Sequence, residues 1–191
     1  IYGSLDLPVS IDTFRSSVAA RAIHKYGKVI INDISAGELD PLIVDVAAEH
    51  DVPYVAMHMK GDPRTMQSMT DYRDIVAEVV DYFRERTAQL RERGVRRIVV
   101  DPGFGFAKTL EQNYELLRGL HRLAELGYPV LAGVSRKSMI YKLLGTTPAE
   151  ALNGTTALHW ECLRQGAAIL RVHDTREAVE VVRMFDQFMQ A

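Results

Sequence analysis

The chain has one cysteine, Cys162, one tryptophan, and an aromatic fraction of 8%. A single thiol forms no internal disulfide, so a disulfide-stapled secreted scaffold is excluded and a reducing cytoplasm fits best. No apolar run reaches the roughly 18 residues that a membrane span needs. Neither sign of charge dominates: 23 Lys and Arg face 25 Asp and Glu, a formal net charge of -2. That balance argues against a broad nucleic-acid-binding surface but leaves room for a local basic pocket. The chain opens on Ile1-Tyr2-Gly3-Ser4, with neither an initiator Met nor a signal peptide. Low-complexity stretches and linkers are also missing, so residues 1–191 read as one domain. What is present is a 47% hydrophobic, 25% charged globular composition with enough apolar residues for a sizeable core.

Short apolar runs alternate with long amphipathic stretches. Six runs predict strands buried on both faces: Val9–Asp12, Val29–Asp33, Tyr54–His58, Ile98–Asp101, Val130–Val134 and Ile169–Val172. Helix-period stripes fall between and after them. Tyr72, Ile75, Val76, Val79, Val80, Phe83 and Leu90 form one. A second runs from Leu110 to Leu126, and a third through Ala178, Val181, Val182, Phe185 and Phe188. Thr109 with Gln112, and Thr147 with Glu150, predict capping boxes, the second with Pro148 at the first helical position. Gly27, Gly94, Gly127 and Gly166 stand where helices should end before a strand.

This alternation demands parallel strands joined by helical crossovers. The strands start about 32 residues apart on average, close to the roughly 31 per unit of a 250-residue eightfold barrel. By that count the chain holds six of eight units and is about 60 residues short. A doubly wound open sheet fits the length as it stands, so periodicity leaves both architectures open.

Each predicted strand ends in polar residues: Asp12, Asn32-Asp33, His58, Asp101, Ser135-Arg136-Lys137, and Arg171 with His173-Asp174. Ligands bind at that edge of parallel α/β folds. Each has a local explanation too: a helix cap for Asp12-Thr13, a turn for Asn32-Asp33, a loop histidine for His58, a solvated cap for Ser135–Ser138. Six coincident ends weaken that account. Two carboxylates and an amide (Asp12, Asp101, Asn32) suit a heterocycle rich in N–H donors, because a carboxylate accepts two parallel N–H bonds. Lys137, Arg171 and His173 suit a phosphoryl group. In Asp101-Pro102-Gly103-Phe104-Gly105-Phe106 the glycines permit close backbone approach and the phenylalanines offer flat walls.

Six segments carry a resemblance. They are Val9-Ser10-Ile11-Asp12-Thr13, Ile31-Asn32-Asp33-Ile34-Ser35, Met57-His58-Met59 with Gly61, Asp101 to Phe106, Gly133-Val134-Ser135-Arg136-Lys137-Ser138, and Leu170-Arg171-Val172-His173-Asp174. In this order the chain resembles the dihydropteroate synthase family of pterin-binding enzymes, the folate-biosynthesis transferases that sulfonamides target. The resemblance implies a (β/α)8 TIM barrel lacking its first two βα units, with six of eight present. It implies condensation of 6-hydroxymethyl-7,8-dihydropterin diphosphate with 4-aminobenzoate to 7,8-dihydropteroate and diphosphate. It places Asp12, Asn32, Met57, Asp101, Phe106, Gly133, Lys137 and Arg171 on the pterin. Arg171 and His173 would hold the diphosphate, and Phe106, Lys137 and Ser138 the aminobenzoate. Lys137, Arg171 and His173 would serve catalysis, whereas Arg136 is a weaker candidate for contact and Cys162 a packing residue. Mg2+ is the implied cofactor, held through an Asn of the absent first unit, and a cytoplasmic homodimer the implied assembly, with Leu152, Leu158, Trp160 and Leu163 compatible with its interface. Two other readings compete: a methyltetrahydrofolate-binding methyltransferase domain, and a non-catalytic pterin-binding homologue. The basic loop and the Arg171-Val172-His173 end argue against the first.

Overall fold

The computed structural model describes residues 7–61, 65 and 69–190. The opening tetrapeptide Ile1–Ser4 lies outside them. Strands and helices alternate as β1 (Ser10–Asp12), α1 (Ser16–Tyr26), β2 (Ile30–Asp33), α2 (Leu42–Glu49), β3 (Tyr54–Met57) and α3 (Ile75–Glu92). They continue as β4 (Ile98–Asp101), α4 (Leu110–Arg118), α5 (His121–Ala124), β5 (Leu131–Ala132), α6 (Ser138–Leu144), α7 (Leu152–Arg164), β6 (Ile169–Leu170) and α8 (Thr175–Gln190). All six predicted strands form, several of them shorter than the apolar runs that announce them. None of the described helices is long and apolar enough to cross a membrane.

Strand order decides between the two architectures. β1 to β4 form one parallel sheet in chain order. β5 pairs with β6 in parallel, and the single bridge Val100↔Val130 joins β4 to β5. The six strands thus follow one another without reversal. A doubly wound sheet reverses at a switch point, whereas a barrel winds in one sense. The arc is therefore six successive units of a (β/α) barrel. β5 is short because its ladder to β4 reduces to that one bridge. Beyond Ala132 the chain turns, and Lys137 N–H donates to the Val134 carbonyl at 3.2 Å.

The core lies between the strands and the helices that cover them. Tyr54, Val55, Ala56 and Met57 are all buried, as a strand covered on both faces requires. The first helical stripe packs as predicted from Ile75 onward: Ile75, Val76, Val79, Val80, Phe83 and Leu90 are buried on α3, while Tyr72 precedes the helix and is half-buried. Asp74 caps that helix by accepting from Ala77 N–H at 2.9 Å. Both capping boxes form, the second around a 3-10 turn, Pro148–Glu150, ahead of α7 rather than on the long helix itself.

The second stripe departs from expectation. Leu110 to Leu126 is two helices, α4 and α5, parted at Gly119, whose backbone also packs closely on α3. A Cβ there would stand 2.6 Å from Val76 Cγ1. The third stripe forms α8 but is only partly covered: Ala178 is buried, while Phe188 is 67% exposed. Trp160 of α7 packs edge-on to Phe185 and Phe188 at 5.4 and 5.5 Å, so its ring is engaged within the chain. Cys162 is fully buried and burial pushes its thiol up to about 12, which fits packing rather than nucleophilic chemistry.

Candidate active site

Because the strands are parallel and in register, their carboxyl ends face one way. Asp12 sits beside Asn32, and Met57 beside Asp101. A cavity of about 390 Å³ opens at this edge. Seven of the expected residues line it: Met57, Asp101, Phe106, Gly133, Lys137, Arg171 and His173. Ser135 and Val172 complete the wall.

Asp101 is buried at the end of β4. Its Oδ1 accepts from Gly103 N–H at 2.8 Å. Burial pushes its carboxyl above the usual range, opposed first by the Lys137 ammonium, then by the Gly103 N–H, Lys108 and Arg171. Lys137 reaches over the same cavity. Its Nζ donates to the Phe104 carbonyl and lies 4.9 Å from the centre of the Phe106 ring. Burial pulls this ammonium below its ordinary value; Asp101 opposes that pull and Arg171 adds to it. Gly133 forms the floor between two cations. A Cβ there would lie 3.8 Å from both Lys137 Nζ and Arg171 Cβ, so a side chain would occupy ligand space rather than strike protein.

Asp12 and Asn32 lie at the rim, outside the cavity wall. Asn32 Nδ2 donates to Asp12 Oδ1 at 2.5 Å, and Arg171 Nη2 donates to Asp12 Oδ2 at 2.6 Å. Asp12 and Arg171 are each more than half exposed, and an exposed ion pair contributes little, so a ligand can exchange with it. His173 is held by Ser135: its backbone N–H and Nδ1 approach Ser135 Oγ at 3.2 and 2.9 Å. Ser138 is the first residue of α6 and is not part of the wall.

Three polar strand-end residues turn out to hold structure. Asp33, next to Asn32, is fully buried and accepts from Ser35 N–H, Ser35 Oγ and Gly37 N–H, each at 2.8 Å, and from Tyr54 Oη at 2.6 Å. Arg136 adopts a φ of 52° and grips Asp174 through Nε and Nη2, both at 2.8 Å. Its Nη1 donates to the carbonyls of Pro148 and Ala149, so the guanidinium is spent on the loop before α7. His58 is buried and packs edge-on to Tyr82 at 4.9 Å.

Sequence reasoning passed over the residues that shape the Asp101–Phe106 loop. Asn113 Oδ1 accepts from Gly105 N–H at 2.6 Å. Its signal was present: an amide on a helical stripe otherwise lined by Leu110 and Leu117. Gly103 has a φ of +68°, and a Cβ there would meet the His58 carbonyl oxygen at 2.2 Å. Gly103→Ala is therefore expected to destabilise the fold by roughly 2–4 kcal/mol, from left-handed strain plus overpacking. A melting curve checks this, and a wild-type Tm would contradict it.

Lys108 is buried with its Nζ 3.2 Å from His58 Nδ1, 3.0 Å from the Gly103 carbonyl and 2.9 Å from the Phe106 carbonyl. Burial is the main cause that brings its ammonium from an ordinary 10.5 to about 7. Burial likewise holds His58 well below its usual value, with Lys108 and Lys60 adding to the effect. Between about pH 7 and 10.5 the unfolded chain then carries the Lys108 proton that the fold has released, so stability rises with pH across that window. Below the ordinary histidine value near 6.5, His58 takes up a proton only on unfolding, so stability drops as the pH is lowered. Urea midpoints are expected to climb from pH 7 to pH 9 in the wild type and to lose that slope in Lys108→Met.

Fold and cavity together define a class: a barrel-type binder whose mouth offers a buried carboxyl and basic side chains within one cavity. The family profile described as Pterin binding enzyme matches residues 1–173. The chain is 44% identical over 185 residues to the dihydropteroate synthase of Synechocystis, covering 95% of this chain and 64% of that protein. It is 42% identical over 185 residues to that of Escherichia coli K12, covering 96% and 65%. Dihydropteroate synthase of Thermus thermophilus superposes with a TM-score of 0.91 at 41% identity, covering 96% of this chain and 74% of that one. The same protein solved in complex with 6HMPPP gives a TM-score of 0.91 at 42% identity, with 96% and 73% covered. Its complex with 4-aminobenzoate likewise gives 0.91 at 42%, with 96% and 72% covered. The chain belongs to the pterin-binding enzyme family, in its dihydropteroate synthase branch. It spans about two-thirds of the length of the curated relatives it matches, 64% and 65% for the two named.

Proposed function

We propose that this chain forms the substrate-binding part of a dihydropteroate synthase, a transferase of folate biosynthesis. It would join 6-hydroxymethyl-7,8-dihydropterin diphosphate to 4-aminobenzoate and release 7,8-dihydropteroate and diphosphate. The observation that carries this reading is one cavity lined by the carboxyl of Asp101 together with Lys137, Arg171 and His173. A donor-rich ring with a phosphoryl tail needs both.

In this reading Asp101 and Asn32 accept and donate along the amino-pyrimidinone edge, with Asp12 at the other ring. Met57 and the bare floor at Gly133 leave room for a flat bicycle. The bond broken is carbon–oxygen at the pterin methylene, and its electron pair leaves with the diphosphate oxygen. The aniline nitrogen supplies the pair for the new carbon–nitrogen bond and then loses a proton. An aryl amine is a weak nucleophile, so stabilising the leaving group matters most. Arg171 and His173 face that developing charge, and the ion pair to Asp12 frees Arg171 at little cost. Lys137 and Phe106 would flank the aminobenzoate ring, with Ser138 at its carboxylate. Sulfonamides, which imitate aminobenzoate, would compete there.

Magnesium enters this proposal as a companion of the diphosphate. The anion end presents Arg171, His173 and the Ser135 hydroxyl. That set suits phosphate oxygens rather than Mg2+, which prefers carboxylate and water oxygens. Among the described residues no group of three or more His, Cys, Asp or Glu is placed to hold a metal. The residues present do not make a magnesium cradle, and no step is routed through one. A cytoplasmic homodimer completes the proposal, and light scattering reads its mass.

The deciding experiment is calorimetry of a full-length chain with dihydropterin diphosphate, with and without Mg2+ and 4-aminobenzoate. Binding is expected to weaken at least about tenfold when the diphosphate is removed from the ligand. A ring that binds equally well without it would favour a methyl-transfer barrel instead.

A further inference from the structure

We propose that Lys108, which lies outside the cavity, is a positioning residue that sets the ring-binding end of the site by clamping the Asp101–Phe106 loop onto the end of β3. This rests on the pterin reading above. Below about pH 7 Lys108 keeps its proton, and an ammonium has three donors and no acceptor. Here it meets three acceptors within 3.2 Å: His58 Nδ1 and the carbonyls of Gly103 and Phe106. The two carbonyls bracket the segment between them, and each belongs to a residue with a second task. Gly103 N–H is the donor that fixes the Asp101 carboxyl, and Phe106 is part of the cavity wall. The third acceptor belongs to the chain just beyond β3, where His58 N–H donates to the Asp101 carbonyl at 2.9 Å. Lys108 thus ties both ends of the loop to the strand beside it.

The charge has a second effect. The groups facing Lys108 are His58, Asp101, Lys137 and Lys60. The three bonds to Nζ go to neutral acceptors, so the cation is not cancelled by a carboxylate in contact. Its field reaches Asp101 and favours the ionised form that accepts N–H bonds from a ring. Nothing in this arrangement touches the anion end, where Arg171, His173 and Ser135 sit just after β6 and in the loop after β5. Removal of Lys108 should therefore separate the two halves of ligand binding.

The test is Lys108→Met in a full-length chain, which keeps the stem length and removes charge and donors. Two probes are titrated calorimetrically at pH 6, where Lys108 carries its proton: a pterin lacking the diphosphate, and inorganic diphosphate. The ring is expected to bind at least about tenfold more weakly and diphosphate within about twofold of wild type. Steady-state kinetics should show the same split, with the KM for dihydropterin diphosphate raised more than kcat is lowered. Equal ring affinity in variant and wild type would overturn the inference, as would parallel loss of both probes. If Lys108→Met does not fold, His58→Leu decides: it removes one acceptor, keeps the backbone bond to Asp101, and should weaken ring binding alone. Failure of the wild type to bind the ring would refute the pterin reading instead, so the two failures are distinct.

Discussion

Replacing Lys137 with alanine in a full-length chain is expected to lower turnover by about 10²–10³-fold, the usual effect of removing one preorganised donor from a transition-state site. The fold should survive. Lys137 lies in the loop before α6 and, among the described residues, its Nζ bonds only the Phe104 carbonyl, which the emptied cavity would open to water. The loss arises because the ammonium has three duties at once. It stabilises the charged form of Asp101, lies against the Phe106 ring, and lines the cavity between them. Lys137→Arg is expected to restore little. A planar guanidinium is wider than an ammonium and cannot occupy the same gap beside Gly133. Steady-state rates with a parallel melting curve check this. Near-wild-type turnover in Lys137→Ala would remove the residue from the site.

The largest effect on stability is expected at Asp33. Replacement by alanine takes a buried acceptor from four donors: Ser35 N–H, Ser35 Oγ, Gly37 N–H and Tyr54 Oη. Bonds to charged groups contribute about 1.5–3 kcal/mol each, and donors left unpaired lose their desolvation energy in full. Partial rearrangement brings the expected loss to about 3–5 kcal/mol. Gly37 is itself fixed as glycine in this turn, since its φ is +86° and a Cβ there would lie 2.6 Å from Val44 Cγ2. Asp33→Asn retains one carbonyl oxygen and is expected to lose less than half as much. Urea midpoints separate the variants, and a change below about 1 kcal/mol in Asp33→Ala would show that the turn is held by something else.

Asp33 and Asn32 also show how far the sequence could be read. Both are polar and both end one strand, yet a pleat sends neighbours to opposite faces. Asn32 reaches Asp12 at the rim, while Asp33 braces a turn. The six strands, the two capping boxes and the convergence of Asp101, Lys137 and Arg171 all follow from local pattern: apolar runs, turn residues and polar strand ends. Four features did not. The break between α4 and α5 falls at Gly119, which meets Val76 from another helix. Arg136 is diverted to Asp174, 38 residues on. Ser138 falls outside the wall because α6 begins with it. Lys108 looks like a solvated helix-start lysine until the loop folds over it. Apart from the helix start at Ser138, each is a contact between segments distant in sequence, and periodicity carries no information about those.

The pairing of Arg171 with Asp12 joins residues 159 positions apart, whereas every neighbouring pair of strands is built from adjacent stretches of chain. On a ribosome the arc can grow one crossover at a time, each new strand adding to an edge already formed. The rim cannot. Its carboxylate is made on β1 and waits for a guanidinium made just after β6. Protein clipped between β5 and Leu170 would keep much of its packed interior while losing this grip. A ligand holding both residues would also fasten β1 to β6, protecting two edges of the arc that share no backbone ladder.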